Sequence, residues 1–106
     1  MEASVSKQTE ETKAIEEMLK KHFSDYPKKL PSIAYRYNPY SIRVRLVDKQ
    51  FKGMSLSERY RLVELLIECL PEETQEDITI LLILAPDELN RSAMNLEFET
   101  PTPSPL

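Results

Sequence analysis

The first regular pattern along the chain is a run of apolar residues at spacings of three and four, which is typical of an amphipathic helix. The run follows Thr9, a residue suited to cap a helix, and ends before Pro27, because the residue preceding a proline avoids helical geometry. The shared apolar face consists of Ile15, Met18, Leu19, His22 and Phe23. The pattern therefore predicts a first helix that packs this face inward.

Two segments with strand-like patterns follow. Residues 32–37 are rich in β-forming side chains, and residues 41–47 alternate strictly between apolar and polar ones. Asn38-Pro39-Tyr40 between them is a turn signal. The side chains of the second segment point to opposite sides, namely Ile42, Val44 and Leu46 to one and Arg43 and Arg45 to the other. The pair predicts a hairpin with one buried face.

A second helix is signalled after Gly53, the only glycine, where we expect a positive φ angle. Ser55 and Glu58 have the spacing of a capping box, and Pro71 marks the end of the helix. Cys69 lies in an apolar stretch of this helix, and we interpret it as a buried structural thiol. The predicted inner face carries Leu56, Tyr60, Val63, Leu66, Ile67 and Leu70.

The last third of the chain begins with an acidic connection at 71–76. Residues 78–85 are apolar on both faces, which predicts a central strand rather than an edge strand. Pro86 starts a short helix, since proline is tolerated at the first helical position. Met94, Leu96 and Phe98 alternate with polar residues, which predicts a short strand or an extended segment.

The elements follow the order α-β-β-α-β-α, and the predicted class is α+β. The second strand, the capped helix and the apolar strand should form a right-handed crossover between parallel strands. Two layers result, a three-stranded mixed sheet with helices on one face. We predict a disordered N-terminus at 1–8, one domain at 9–92 and an extended C-terminal tail at 93–106, which is proline-rich and disordered from about residue 100.

Charge is divided unevenly along the 106 residues. The net charge is −4, yet residues 36–63 carry seven basic and two acidic residues, a net charge of +5 that leaves −9 for the remainder. The single cysteine, Cys69, cannot form an internal disulfide, and no segment approaches the ~18 apolar residues that span a bilayer. We therefore expect a reduced, soluble, cytoplasmic protein without membrane contact. Such a division of charge bears on the choice of partner.

The centre of the chain resembles the BolA family, in which Phe-x-Gly-x-Ser precedes an Arg-His-Arg helix start. The matching residues are Phe51, Gly53 and Ser55, followed by Arg59-Tyr60-Arg61. The apolar strand before Pro86-Asp-Glu88 is also similar, and the resemblance covers about residues 12–90. It implies the two-layer α+β fold, which is similar to the type II KH fold.

BolA proteins that share an iron–sulfur cluster with monothiol glutaredoxins use a histidine before the last strand and a histidine or cysteine between the first two strands. The first position falls near Asp77 here, and Asn38-Pro39-Tyr40 supplies neither ligand. A carboxylate is a poor substitute at such clusters. The resemblance therefore implies the fold and not the cluster chemistry, and we expect no cofactor.

Neither metal binding nor catalysis is expected from the remaining residues. His22 and Cys69 are the only soft ligands, too few for a tetrahedral site, and no nucleophile and base form a recognisable pair. We interpret Asp77, Asp87 and Glu88 as acids at a strand entry and a helix start. We therefore predict that the protein is not an enzyme.

The leading hypothesis is a non-enzymatic binding, adaptor or regulatory module that acts on an unknown protein partner, as a monomer or a weak homodimer. One candidate surface is the sheet face of Arg43 and Arg45 beside two apolar residues of the last strand, unless Met94, Leu96 and Phe98 cover it. The other is the basic start of the second helix. The candidate contact residues are Arg36, Arg43, Arg45, Lys52, Arg59 and Arg61, and the structural motif is Phe51, Gly53, Ser55 and Glu58.

Two alternatives stay open. The first is KH-like nucleic-acid binding through residues 36–63, with tyrosines for base stacking, although Gly53 stands alone where a KH loop has Gly-x-x-Gly. The charge of −9 elsewhere also repels a polyanion, which disfavours nucleic acid. The second alternative is a partnership with a monothiol glutaredoxin.

Overall fold

The structure of the protein, a computed structural model, describes residues 8–24 and 33–99. The helices are α1 (Glu10–His22), α2 (Leu56–Ile67), α3 (Glu72–Asp77) and α4 (Ala93–Glu99), and the strands are β1 (Ile33–Asn38), β2 (Ser41–Val47) and β3 (Ile78–Leu84). Short 3-10 helices occupy Lys49–Phe51 and Pro86–Arg91. The disorder predicted for residues 1–8 and from about residue 100 lies outside the described residues, apart from Gln8.

The three strands form one mixed sheet in the order β1-β2-β3. β1 pairs with β2 antiparallel, and β2 pairs with β3 parallel across the α2–α3 connection. The predicted α+β class and the parallel pairing are confirmed. The prediction that β3 is central is wrong, because β2 occupies the centre and β3 lies at an edge of this sheet.

One face of the sheet carries the main hydrophobic core. The apolar side chains of β2 predicted to share a face are fully buried there, together with Ile83 of β3. α1 contributes Ile15 and Leu19, and α2 contributes Val63. This burial supplies most of the driving force for folding, at roughly 25 cal/mol per Å² of apolar surface.

The opposite face is partly covered by α4. The ring of Phe98 lies edge-on to Tyr35 with 5.7 Å between the ring centroids, and both side chains are buried. The strand or extended segment predicted around Met94, Leu96 and Phe98 is wrong, since these residues belong to a helix. Only Phe98 of the three turns inward, while Met94 and Leu96 are exposed.

The turn before α2 has the predicted geometry. Gly53 has a φ of +83°, and Phe51 is buried with its ring centroid 5.3 Å from that of Phe23. Ser55 and Glu58 form the capping box: Glu58 N–H donates to Ser55 Oγ at 3.2 Å, and Ser55 N–H donates to Glu58 Oε1 at 2.9 Å. These bonds satisfy amide groups that a helix start otherwise leaves without partners.

The second helix departs from prediction at its two ends. Leu56, predicted to face inward, is 64% exposed, and Cys69, predicted to be buried, is exposed. The acidic connection at 71–76 contains a further short helix, α3, which begins after Pro71. Tyr60, Leu66, Ile67 and Leu70 pack against the core as predicted.

Replacing Gly53 with alanine should lower the free energy of unfolding by about 1–2 kcal/mol, since a Cβ disfavours the left-handed region. A Cβ at this position meets no other atom within 4 Å, so the cost lies in the backbone alone. Gly53→Asn should cost less, because asparagine tolerates this region. Urea unfolding of the two variants measures the difference; equal losses would mean that backbone conformation is not the cause.

The capping box should make stability depend on pH. Hydrogen bonds from the backbone and side chain of Ser55 hold the pKa of the Glu58 carboxyl below its ordinary value of 4.5. A lowered pKa means that this stabilisation is present above the ordinary value and is lost as the pH falls through the lowered one. Urea titrations at neutral and acid pH should show a smaller acid-induced loss in Glu58→Gln than in the unmodified protein. An equal loss in both would contradict the role of this carboxylate.

Candidate functional site

Arg59, a predicted contact residue, is buried and binds inside the protein. Its Nη1 and Nη2 atoms donate to the two carboxylate oxygens of Glu88 at 2.6 and 2.8 Å. Nη1 also donates to the Ile83 carbonyl at 3.1 Å, and Nε donates to the Met54 carbonyl at 3.1 Å. The hydrogen bonds to Glu88 raise the pKa of Arg59. Arg59 therefore ties the start of α2 to β3 and to the 3-10 helix that follows it.

Side chains also form hydrogen bonds with backbone groups at the two outer edges of the sheet. At β3 the Tyr60 hydroxyl donates to the Leu81 carbonyl at 2.7 Å, two residues before the carbonyl that Arg59 binds. At β1 the Ala34 amide donates to Glu16 Oε2 at 2.8 Å. Open strand edges attract further strands, so these contacts reduce the capacity of both edges for pairing.

Arg43 and Arg45 project from the face opposite the core, as predicted, and the register places Ile80 and Leu82 beside them. Arg45 is 1% exposed, and its Nη1 donates to Asn95 Oδ1 at 2.7 Å and to Glu99 Oε2 at 2.5 Å. α4 thus covers this arginine.

Arg43 is half-buried beside two aromatic side chains of β1. Its guanidinium carbon lies 3.6 Å from the ring centroid of Tyr37, and Nη1 donates to the Tyr35 hydroxyl at 3.4 Å. A guanidinium over an aromatic face is held by the ring quadrupole. Both arginines of β2 therefore have contacts within the protein.

Arg36 lies at the other side of the sheet and is also paired. Its Nη1 lies 3.0 Å from Asp77 Oδ2 and donates to the Pro39 carbonyl at 3.1 Å, and its Nη2 lies 3.7 Å from Glu11 Oε1. Lys52 and Arg61 are exposed. The six predicted contact residues therefore do not form one basic surface, because the fold places them at separate points.

A cleft of about 310 Å³ runs beside the end of β3. Its lining combines the Arg59–Glu88 pair with apolar side chains from α2 and β3, and the exposed Leu56 stands at its margin. The arginine and the glutamate satisfy each other here, so the cleft presents mainly apolar surface.

A stripe of exposed apolar residues lies on the outward face of α2 and in the turn that follows it. We call it the leucine stripe, and it consists of Leu62, Leu65 and Cys69. Leu65, in the last turn of α2, is 61% exposed, and Leu62 is 36% exposed. A spacing of three places Leu62 and Leu65 side by side on the helix, and Cys69 follows in the turn after α2. A row of large apolar side chains on a helix exterior is characteristic of an interaction surface.

Most exposed charges along the segment that carries the leucine stripe are acidic. The exposed carboxylates of α2 and its continuation into α3 are Glu58, Glu64, Glu68, Glu72, Glu73 and Glu76, and Arg61 is the one exposed basic residue among residues 56–77. Within the described residues no ion pair binds Glu64 or Glu68. The surface is therefore apolar at its centre and negative at its margin.

Sequence pattern alone does not reveal this surface, because apolar residues occupy more than half of the positions from Leu62 to Leu70. Helical periodicity then fails to single out one inward face. A usable signal was present: Arg59 shares the face of Val63 at a spacing of four, which marks it as an inward position.

Some kinds of site do not occur within the described residues. Residues 8–24 and 33–99 contain no cluster of three or more histidine, cysteine or acidic side chains that could hold a metal ion. Among these residues, no helix has both the length and the apolar composition needed to cross a bilayer. Comparison of the chain with protein-family models, curated proteins and solved structures gives no match in any of the three.

Removing the Glu88 carboxylate should strongly destabilise the protein. Glu88→Leu leaves the Arg59 guanidinium buried without its charge partner, and we expect a loss of about 3–5 kcal/mol in the free energy of unfolding. The double variant Arg59→Met/Glu88→Leu should be more stable than this single variant, because it removes the buried charge as well. Chemical denaturation measures both. A double variant less stable than Glu88→Leu would show that the pair is not the source of the effect.

Proposed function

We propose that the protein is a non-enzymatic binding module that recognises a protein partner through the leucine stripe on α2. The observation that carries the proposal is the exposure of Leu65 and Leu62 on the exterior of a regular helix. Burying a leucine side chain in a complex is worth roughly 1.5–3 kcal/mol, so two adjacent leucines supply a useful part of a binding energy. A polar margin around such a centre is the usual composition of an interface.

The proposed fold family is BolA-like. The order β1-β2-β3 with α2 in the parallel crossover supports this proposal, as does the position of the Phe51–Ser55 motif at the start of that helix. The family would supply a scaffold, and the acid-rimmed surface would be particular to this chain.

Nucleic-acid binding through residues 36–63 is the weaker alternative. Phosphate recognition needs accessible cations, whereas Arg36, Arg45 and Arg59 each form ion pairs with carboxylates of the same chain. The exposed carboxylates of α2 and α3 would also repel a polyanion. These contacts favour a protein partner.

A glutaredoxin partnership receives less support. Asp77, which stands near the family's histidine position, binds Arg36 at 3.0 Å. The β1–β2 turn is held by the Tyr40 amide, which donates to Asn38 Oδ1 at 2.8 Å. The resemblance offers no replacement for the missing ligands.

Two leucines allow a matched test, since Leu65 is 61% exposed and Leu96 is 64% exposed. Leu65→Ser and Leu96→Ser should each change stability by less than about 0.5 kcal/mol, because surface substitutions have small effects. The unmodified protein is immobilised, and the proteins that it captures from nuclease-treated lysate are identified. Each captured partner is then purified and titrated against the unmodified protein, Leu65→Ser and Leu96→Ser. We expect Leu65→Ser to weaken binding about tenfold, a loss of about 1.4 kcal/mol, and Leu96→Ser to leave it unchanged.

Equal affinities of the two variants for the purified partner would contradict a role of the leucine stripe. A parallel titration with single-stranded RNA and DNA at two salt concentrations tests the alternative. Tight binding that weakens with salt and is lost in Arg43→Glu would favour the KH-like function and contradict the proposal.

A further inference from the structure

The geometry of the leucine stripe fits a helix. Leu62, Leu65 and Cys69 follow one another at spacings of three and four, the pattern of the seam at which two helices pack side by side. Leu62 and Cys69 are seven residues apart, which corresponds to about 10 Å at the helical rise per residue. A partner helix of a few turns would cover it with apolar residues at the same spacing.

The charge around the stripe determines which charge the partner should carry. Glu68 adjoins Leu65, and Glu58 adjoins Leu62, at spacings of three and four. Arg61, the one exposed basic residue of this segment, also lies four residues before Leu65, so acids outnumber bases around the stripe. The remaining exposed acids of residues 56–77 lie on α2 and α3. A second copy of the chain is a poor occupant, because its own acidic margin would face the first one.

A pocket beyond the C-terminal end of α2 also combines apolar walls with carboxylates. It has a volume of about 210 Å³ and is lined by Leu70 and Pro71 after α2, Thr74 of α3, and Glu10, Glu11 and Ala14 of α1. Apolar walls beside carboxylates suit a lysine or arginine, whose alkyl stem packs while its charged head meets an acid. A hydrogen bond with the Thr9 side chain lowers the pKa of Glu11, whose carboxylate also lies 3.7 Å from Arg36 Nη2.

We infer that the segment bound by the leucine stripe is a cationic amphipathic helix of a protein partner, with leucine-like residues on one face and lysine or arginine on the flanks. This inference rests on the proposed function and adds the chemistry of the partner to it. Its apolar face covers Leu62 and Leu65, its flanking cations meet Glu64 and Glu68, and one cation reaches the pocket beside Glu10 and Glu11. The acidic margin requires a positively charged partner, and the leucines supply the apolar area that is buried in the complex.

The probe is a synthetic helical peptide of roughly 18 residues with leucines at seam positions and lysines elsewhere. Two control peptides are used, one with glutamate in place of lysine and one with the same composition in scrambled order. Binding is measured by fluorescence anisotropy at about 0.05 M and about 0.15 M salt, since exposed charges are screened over this range. The amphipathic lysine peptide should bind, and neither control peptide should.

Matched variants of the full chain separate specific contacts from net charge. Glu64→Gln/Glu68→Gln and Ser24→Lys/Gln50→Lys change the net charge by the same amount at exposed positions. The first pair should weaken peptide binding about fivefold, as expected for two exposed charge contacts, and the second by less than about twofold. Leu65→Ser should weaken it about tenfold and Leu96→Ser should leave it unchanged.

Equal losses for the two charge pairs, or equal binding of the scrambled peptide, would overturn the inference, because nonspecific attraction would then explain the binding. Failure of the lysine peptide to bind would also overturn it. The proposed function fails separately, if Leu65→Ser binds the purified protein partner as tightly as Leu96→Ser does, or if single-stranded nucleic acid binds tightly and this binding is lost in Arg43→Glu.

Discussion

The fold depends on a buried arginine. The guanidinium of Arg59 binds both carboxylate oxygens of Glu88 and the carbonyls of Ile83 and Met54. Glu88 also accepts a hydrogen bond from the Ala85 amide at 2.9 Å. A charge withdrawn from water is tolerated only when such partners surround it. These bonds join the turn at Gly53, the start of α2 and the end of β3, and they thereby determine which side of α2 faces outward.

The same logic governs the other arginines. Arg36 and Arg45 are paired with carboxylates of the chain, so the basic middle segment neutralises the acidic remainder from within. A sequence with a segment of +5 thus folds into a molecule whose exposed helical surface at α2 and α3 is negative. The outward side of α2 combines leucines with carboxylates. This redistribution of charge is the reason why a protein partner is favoured over a nucleic acid.

Local sequence patterns predicted which helices and strands form better than they predicted where those elements lie in the fold. Gly53 and the capping box of Ser55 and Glu58 depend on backbone geometry within a few residues, and both were predicted correctly. The edge position of β3 was not, because apolarity on two faces reports that both faces are covered and says nothing about strand pairing. α2 covers one face of β3 beside Ile83, and the cleft and the segment after β3 adjoin Leu82 and Leu84. The proposed binding surface was missed for a related reason, since apolar residues at most positions from Leu62 to Leu70 did not separate the inward from the outward residues of α2.

The most direct test of the account is an amide chemical-shift map of the full chain recorded with the cationic amphipathic peptide and, separately, with single-stranded RNA. We expect the peptide to shift the amide resonances of residues 61–70 and to leave those of β1 and β2 unchanged. We expect RNA to shift neither group of resonances. Peptide-induced shifts centred on Arg43 and Arg45, or RNA-induced shifts along that strand, would contradict it.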